Sequence, residues 1–170
     1  MKFSKYALST LSVATLGFLA LGVASTSAFA ATPISDTFQV KANVVEACTI
    51  TAGNTLDFGT YTGVAITKST TISVTCTKGG TYNIGLNGGS TTNGTDQQRL
   101  LAGPGTATLQ YNLYTTSSLG SIWGDTAAHN LVPGTGEGSA QTITVWGNLA
   151  GSQPLTVGSY SDTITATVNY

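Results

Sequence analysis

The sequence predicts an all-β protein built as one two-layer sandwich, and three observations predict it. No window of a dozen residues repeats apolar positions at i, i+3, i+4 and i+7 without Gly or Thr breaking it, so helices are not expected. Short segments rich in Thr, Val, Ile and Tyr alternate apolar and polar residues, which is the period of a half-buried strand. Clusters of Gly, Asn, Ser and Pro separate those segments at the spacing of a sandwich in the immunoglobulin size class.

Six alternating runs follow in order. Thr37–Cys48 alternates through Phe38, Val40, Ala42 and Val44. Thr70–Thr77 does so through Ile72, Val74 and Cys76, and Tyr82–Leu86 through Tyr82, Ile84 and Leu86. Leu109–Tyr114 aligns Leu109, Tyr111 and Leu113, and Gln141–Leu149 aligns Ile143, Val145 and Gly147. Thr163–Tyr170 closes the series with Ile164, Ala166, Val168 and Tyr170 on one face. Between them, Gly79-Gly80 sits at hairpin distance, while Asn87–Thr95 and Pro133-Gly134-Thr135-Gly136 read as polar loops.

The first thirty residues read as a cleaved leader. Lys2 and Lys5 precede an apolar stretch from Ala7 to Val23, and Ala28-Phe29-Ala30 supplies a small-x-small cleavage pattern. A membrane anchor is the competing reading. The stretch is interrupted by Ser9, Thr10, Ser12 and Thr15 and falls short of the roughly 20 apolar residues of a span. Removing 30 from 170 residues leaves 140, one domain's worth. The expected organisation is therefore a leader over 1–30, a front segment over 31–45 and a domain over 46–170.

Charged residues make up 8% of the chain, against about 25% in an average domain. The apolar share of 41% is ample for a core, so charge-driven disorder is excluded. The six Lys and Arg residues are scattered, which argues against nucleic-acid binding. Past residue 30, Lys41, Lys68, Lys78 and Arg99 face seven acids, a net charge of 4 − 7 = −3.

Cys48 and Cys76 are the two cysteines, and an even count in an exported chain reads as one structural disulfide. Its loop holds 76 − 48 + 1 = 29 residues, worth about 3.6 kcal/mol in the chain-entropy model. Two thiols and the single His129 are too few for a metal centre, and no cofactor motif is present. Glu46, Asp57, Asp96, Asp125, Glu137 and Asp162 form no acid–base pair motif, so no enzyme activity is expected. His129 reads as an exposed loop residue, and Gly134–Gly138 lacks the Lys-Ser/Thr of a phosphate loop. Trp123, Trp146, Tyr111 and Tyr114 could stack on sugars, but aromatics in a sandwich belong first to its core.

The two termini admit two readings: an ordinary complete sandwich, or an exchange in which the front segment pairs with a neighbouring molecule. Several landmarks bear on the choice. They are Cys48-Thr49-Ile50 followed by Leu56-Asp57-Phe58-Gly59-Thr60-Tyr61, then Ile72–Cys76 and Leu109–Tyr114. Ile122-Trp123-Gly124-Asp125, Val145-Trp146-Gly147 and the terminal Gly158–Tyr170 complete the ordered set. Together they resemble the spore coat protein U domain, found in subunits of archaic, Csu-type chaperone–usher pili, over essentially Val44 to Tyr170.

The resemblance implies an incomplete immunoglobulin-like β-sandwich completed by a donated strand. A periplasmic chaperone first fills the gap. At an outer-membrane usher, the N-terminal segment of another copy or a related pilin then replaces it. Phe38, Val40, Ala42 and Val44 become the donor's inward side chains, with Thr37, Gln39, Lys41 and Asn43 facing outward. Ile164, Ala166, Val168 and Tyr170 become the inward face of the strand beside the acceptor groove. The disulfide is expected to join the first core strand at Cys48 to the strand carrying Cys76. The implied function is a structural subunit of a surface pilus supporting adhesion and biofilm formation. A tip adhesin would need an additional binding domain, for which 140 residues leave no room. The alternative is a secreted spore-coat or matrix protein using the same domain.

Overall fold

A computed structural model describes residues 31–170; the expected leader over 1–30 lies outside the described residues. Eight strands form in chain order: β1 Cys48–Ala52, β2 Ile66–Cys76, β3 Thr81–Leu86, β4 Arg99–Ala102, β5 Thr108–Tyr114, β6 Val132–Thr135, β7 Gln141–Leu149 and β8 Ala166–Asn169. A short 3-10 turn spans Ala127–His129, and no α-helix occurs among the described residues. One sheet has the order β1-β2-β7-β5-β4 and the other β6-β3-β8, with every pairing antiparallel. Both sheets lie within the compact unit Ala42–Tyr170.

The core forms where the alternating runs turn their apolar faces inward. Ile72, Val74 and Cys76 of β2, Leu109, Tyr111 and Leu113 of β5, and Val145 and Leu149 of β7 meet Tyr82, Ile84 and Leu86 of β3. Each such side chain contributes roughly 1.5–3 kcal/mol by leaving water. Trp123 is fully buried, and its indole Nε1 donates to the Ile84 carbonyl at 2.9 Å. The core assignment therefore holds for Trp123 and Tyr111. Trp146 and Tyr114 differ: they lie one residue out of phase with the core, are half-buried, and pair across β5 and β7 on the outer face.

Several boundaries also differ from expectation. β2 starts at Ile66 because β7 continues its ladder through the polar Thr67-Lys68-Ser69 stretch, up to the pair Ile66↔Leu149. Gly79-Gly80 makes no hairpin, since β2 and β3 belong to different sheets and the turn carries the chain between them. Pro133-Gly134 belongs to β6 and is not a loop. An edge position tolerates the missing N–H of Pro133, and Gly134 leaves room for the Tyr82 ring packed against it. No strand is assigned within 31–47, where Phe38, Val40 and Val44 are more than 80% exposed and Ala42 is also exposed. The alternation there has no ladder partner among the described residues.

Candidate functional site

Among the described residues the second sheet has three strands. β8 pairs with β3 from Asn83↔Asn169 to Leu86↔Ala166, and its other edge has no partner strand among the described residues. Among the described residues β1 likewise pairs on one side only, with β2. These two half-paired strands run close together on the same flank of the sandwich. The Cys48–Cys76 disulfide joins directly opposed residues of β1 and β2, with Cα atoms 4.1 Å apart, and so fixes the β1 side of that flank.

A cleft of about 330 Å³ opens at one end of this flank, between the segment that follows β1 from Ala52 and the Asp162–Ala166 segment that leads into β8. Ile72, Leu86, Leu113 and Val145 reach it from the core. Leu56 and Phe58 line one side, and Asp162, Ile164 and Ala166 the other. The Leu56-Asp57-Phe58-Gly59 landmark thus has a local cause. Asp57 Oδ1 accepts the Gly59 N–H at 2.8 Å, which turns the chain so that Leu56 and Phe58 both face inward. They pack against Gly147 of β7, where a Cβ would collide with Leu56. Phe58 also meets the Tyr111 ring edge-on, with centroids 6.1 Å apart. A second cleft of about 670 Å³ adjoins the first, shares Leu56, Phe58, Leu101 and Asp162, and continues past Tyr160.

The C-terminal residues sit largely as the alternation predicts. Ile164, Ala166 and Val168 are half-buried and pack on the core, while the intervening threonines are exposed. Ile164 and Ala166 line the cleft. Tyr170 differs, being 61% exposed, because the ladder to β3 ends at Asn169 and nothing draws the last ring inward. The strand is also shorter than expected. Before Ala166 the chain leaves β3 and crosses toward the first sheet, where Ser161 bridges Ala102 at the end of β4. Asn87 bonds this crossing twice: its amide N–H donates to the Thr165 carbonyl at 3.1 Å, and its Oδ1 accepts the Thr165 N–H at 2.9 Å.

Three polar hubs hold loops together, Asp162 at the clefts and Arg99 and Asp96 set back from them, and the sequence pattern marks none of the three as a hub. Asp162 stands on the same inward face as Ile164. Its Oδ1 accepts from the amides of Ser90, Thr91 and Thr163 at 2.7, 3.2 and 2.8 Å, and from both neighbouring hydroxyls at 3.0 and 3.2 Å. Its Oδ2 accepts from the Tyr111 hydroxyl at 2.8 Å. Burial opposes ionisation of this carboxyl, but the bonds from Tyr111, Ser90 and Thr163 outweigh it and lower the pKa. Burial and the bond to Asp162 raise the pKa of the Tyr111 phenol.

Arg99 is wholly buried, and its guanidinium donates to four carbonyls: Asn87 at 2.9 Å, Asp96 at 2.8 Å, and Leu86 and Trp123 at 2.7 Å. Burial lowers its pKa, with Tyr111 and Asp96 opposing. Asp96, also buried, accepts the Asp125 N–H at 3.2 Å and bonds His129 Nδ1 at 2.7 Å. Burial again pulls against its ionisation, and the bonds from Asp125 and His129 prevail to lower its pKa. His129 is thus a half-exposed partner of Asp96 and not a free loop residue. Asp96, Asp125 and His129 converge with their ligand-type atoms within 4.8 Å, a proximity that 33 residues of separation between Asp96 and His129 conceals. Here the Asp96 carboxylate bonds the His129 ring and the Asp125 backbone N–H.

A two-sheet immunoglobulin-like sandwich with a three-stranded second sheet and an open apolar flank defines a class of incomplete domain. The family model described as Spore Coat Protein U domain matches residues 34–167, and the chain belongs to that family. It is 31% identical over 164 residues to Protein U of Myxococcus xanthus, covering 87% of this chain and 90% of that protein. Its fold is similar to that of a chain in the CsuC–CsuE chaperone–tip adhesion subunit pre-assembly complex from the archaic chaperone–usher Csu pili of Acinetobacter baumannii. That likeness has a TM-score of 0.55 at 24% identity and covers 75% of this chain but only 40% of the other.

Proposed function

We propose that this protein is a structural subunit of a surface pilus, assembled by donation of a strand from one copy into the groove of the next. The half-paired strands β1 and β8, with a largely apolar cleft at the Ala52 and Ala166 ends of their flank, carry this reading. Such a flank is an aggregation hazard in a finished monomer and an acceptor site in an unfinished one. Residues 31–45 have the complementary chemistry, with exposed Phe38, Val40, Ala42 and Val44 spaced two apart so that they share one face of a strand. Head-to-tail donation is heterologous and does not close, so it builds a filament.

In this account residues 1–30 direct export and are removed. A periplasmic chaperone covers the groove, an outer-membrane usher hosts the exchange, and the fibre supports adhesion and biofilm formation at the cell surface. The role is structural and not catalytic. In support, the buried Asp96 and the half-buried Asp162 are both committed to holding loops together. A second reading, a secreted coat or matrix protein, is favoured by the family's description and by the relative matched over most of its length.

Deleting residues 31–44 separates these readings. The shortened chain should still fold and take up a peptide of residues 31–45, yet form no fibres by electron microscopy. Fibres from the shortened chain would overturn the donor assignment. A full-length chain that stays a soluble monomer without any chaperone would favour the coat protein.

A further inference from the structure

Among the described residues, Asp162 is the one charged residue that lines both clefts of the open flank. This residue stands where the chain changes sheets, between the Ser161–Ala102 bridge and the β3–β8 ladder. Three separate parts of the fold converge on its carboxylate: the Ser90-Thr91 loop, the Tyr111 hydroxyl from β5, and the amide of Thr163. No hydrogen bond between backbone groups ties residues 162–164 to either sheet. The side chain of Asp162 therefore does there what a ladder does elsewhere.

We propose that Asp162 is a positioning residue for strand capture: its ionised carboxylate pins the Asp162–Ala166 wall of the groove and makes retention of a captured strand sensitive to acid. The inference rests on the strand-acceptor reading above and deepens it. A carboxylate can accept all these donors at once, whereas a protonated carboxyl must itself donate a proton and loses acceptor capacity. The charge-assisted bonds it forfeits are the stronger kind. Protonation therefore loosens the wall on which Ile164 and Ala166 present their side chains to the groove. Tyr111 bonds the carboxylate directly. The Arg99 guanidinium, whose charge reaches both Tyr111 and Asp162, remains protonated across the acid range and does not compete as the titrating group.

The test uses the full chain and a fluorescent peptide of residues 31–45, with release after dilution into unlabelled peptide followed by anisotropy from neutral pH to about pH 3. Release from the unaltered chain should accelerate by roughly tenfold as pH falls through the carboxylate range. Asp162→Asn should release quickly at every pH with a flattened profile. Tyr111→Phe keeps the carboxylate but removes a stabilising donor, so its acceleration should begin at higher pH. Asp96→Asn, whose carboxylate lies at neither cleft, should lower overall stability and leave the release profile unchanged. A wild-type acid profile in both Asp162→Asn and Tyr111→Phe would overturn the proposal, as would its equal loss in Asp96→Asn. Failure of the unaltered chain to capture the peptide at any pH would overturn the strand-acceptor reading itself.

Discussion

β6 and β8 are the two edges of one sheet, both antiparallel to β3 and both four residues long, yet they are finished in opposite ways. β6 carries Pro133, which offers no N–H to a further strand, and Gly134, over which the Tyr82 ring closes. Its continuation is tied to the start of β3, with the Gly136 N–H donating to the Gly80 carbonyl at 2.7 Å. β8 has no proline and no charge, presents only threonine and asparagine outward, and has an apolar cleft beside it. Natural sheets blunt their edges with proline, charge or cover. One edge of this sheet follows that rule and the other omits every such device, which is how a domain built to receive a strand should differ from a finished one.

Arg99 holds the end of β3 that pairs with β8, through the Leu86 and Asn87 carbonyls. Arg99→Ala should therefore cost more than any other single change considered, about 4 kcal/mol or more, because four buried carbonyls lose their donor together. Chemical denaturation would measure it. Such a loss would remove the distinction between the edges by unfolding both.

Removing the disulfide with Cys48→Ala and Cys76→Ala should cost about 3.6 kcal/mol in the chain-entropy model, and the damage should be local. β1 has one partner strand and mostly exposed side chains, so hydrogen exchange should show Cys48–Ala52 opening first while β6 stays protected. Equal loss at β1 and β6 would break the view that the open flank is the weakly held one.

Asp96 gives a pH test away from the groove. Its folded pKa lies below the ordinary value, so the stability it supplies is present above about pH 4 and fades as pH falls through the lowered pKa. Asp96→Asn should lower Tm at neutral pH and reduce the acid slope of stability. An unchanged slope would show that the Asp96–His129 contact contributes nothing.

The smallest expected effect on stability is the sharpest probe of the two edges. Pro133→Thr should change stability by within about 0.5 kcal/mol but restore an N–H to the blunted edge. Increased self-association that deletion of residues 31–44 does not suppress would show that Pro133 had been protecting β6.

The layer structure was legible because period-two alternation is physically enforced wherever one face of a strand is buried. Thr70–Thr77, Tyr82–Leu86, Leu109–Tyr114 and Gln141–Leu149 all lie in core strands, within a few residues of the expected bounds. β4 escaped notice because it is four residues long and opens on Arg99, whose charge disguises a buried position. β6 was hidden by Pro133-Gly134, which signals a turn unless the strand is known to be an edge. The Asp162 and Asp96 hubs could not be read along the chain, since their partners lie up to 72 and 33 residues away. One signal was available for Asp162: it precedes Ile164 by two and so shares its inward face.

Hydrogen–deuterium exchange on the full chain, alone at low concentration and with an added peptide of residues 31–45, tests the incomplete edge most directly. Residues 164–169 and β1 should gain protection by roughly tenfold or more when the peptide is present, with β6 unchanged. Protection that fails to rise at β8, or that rises equally at β6, would contradict an acceptor groove on the β1–β8 flank.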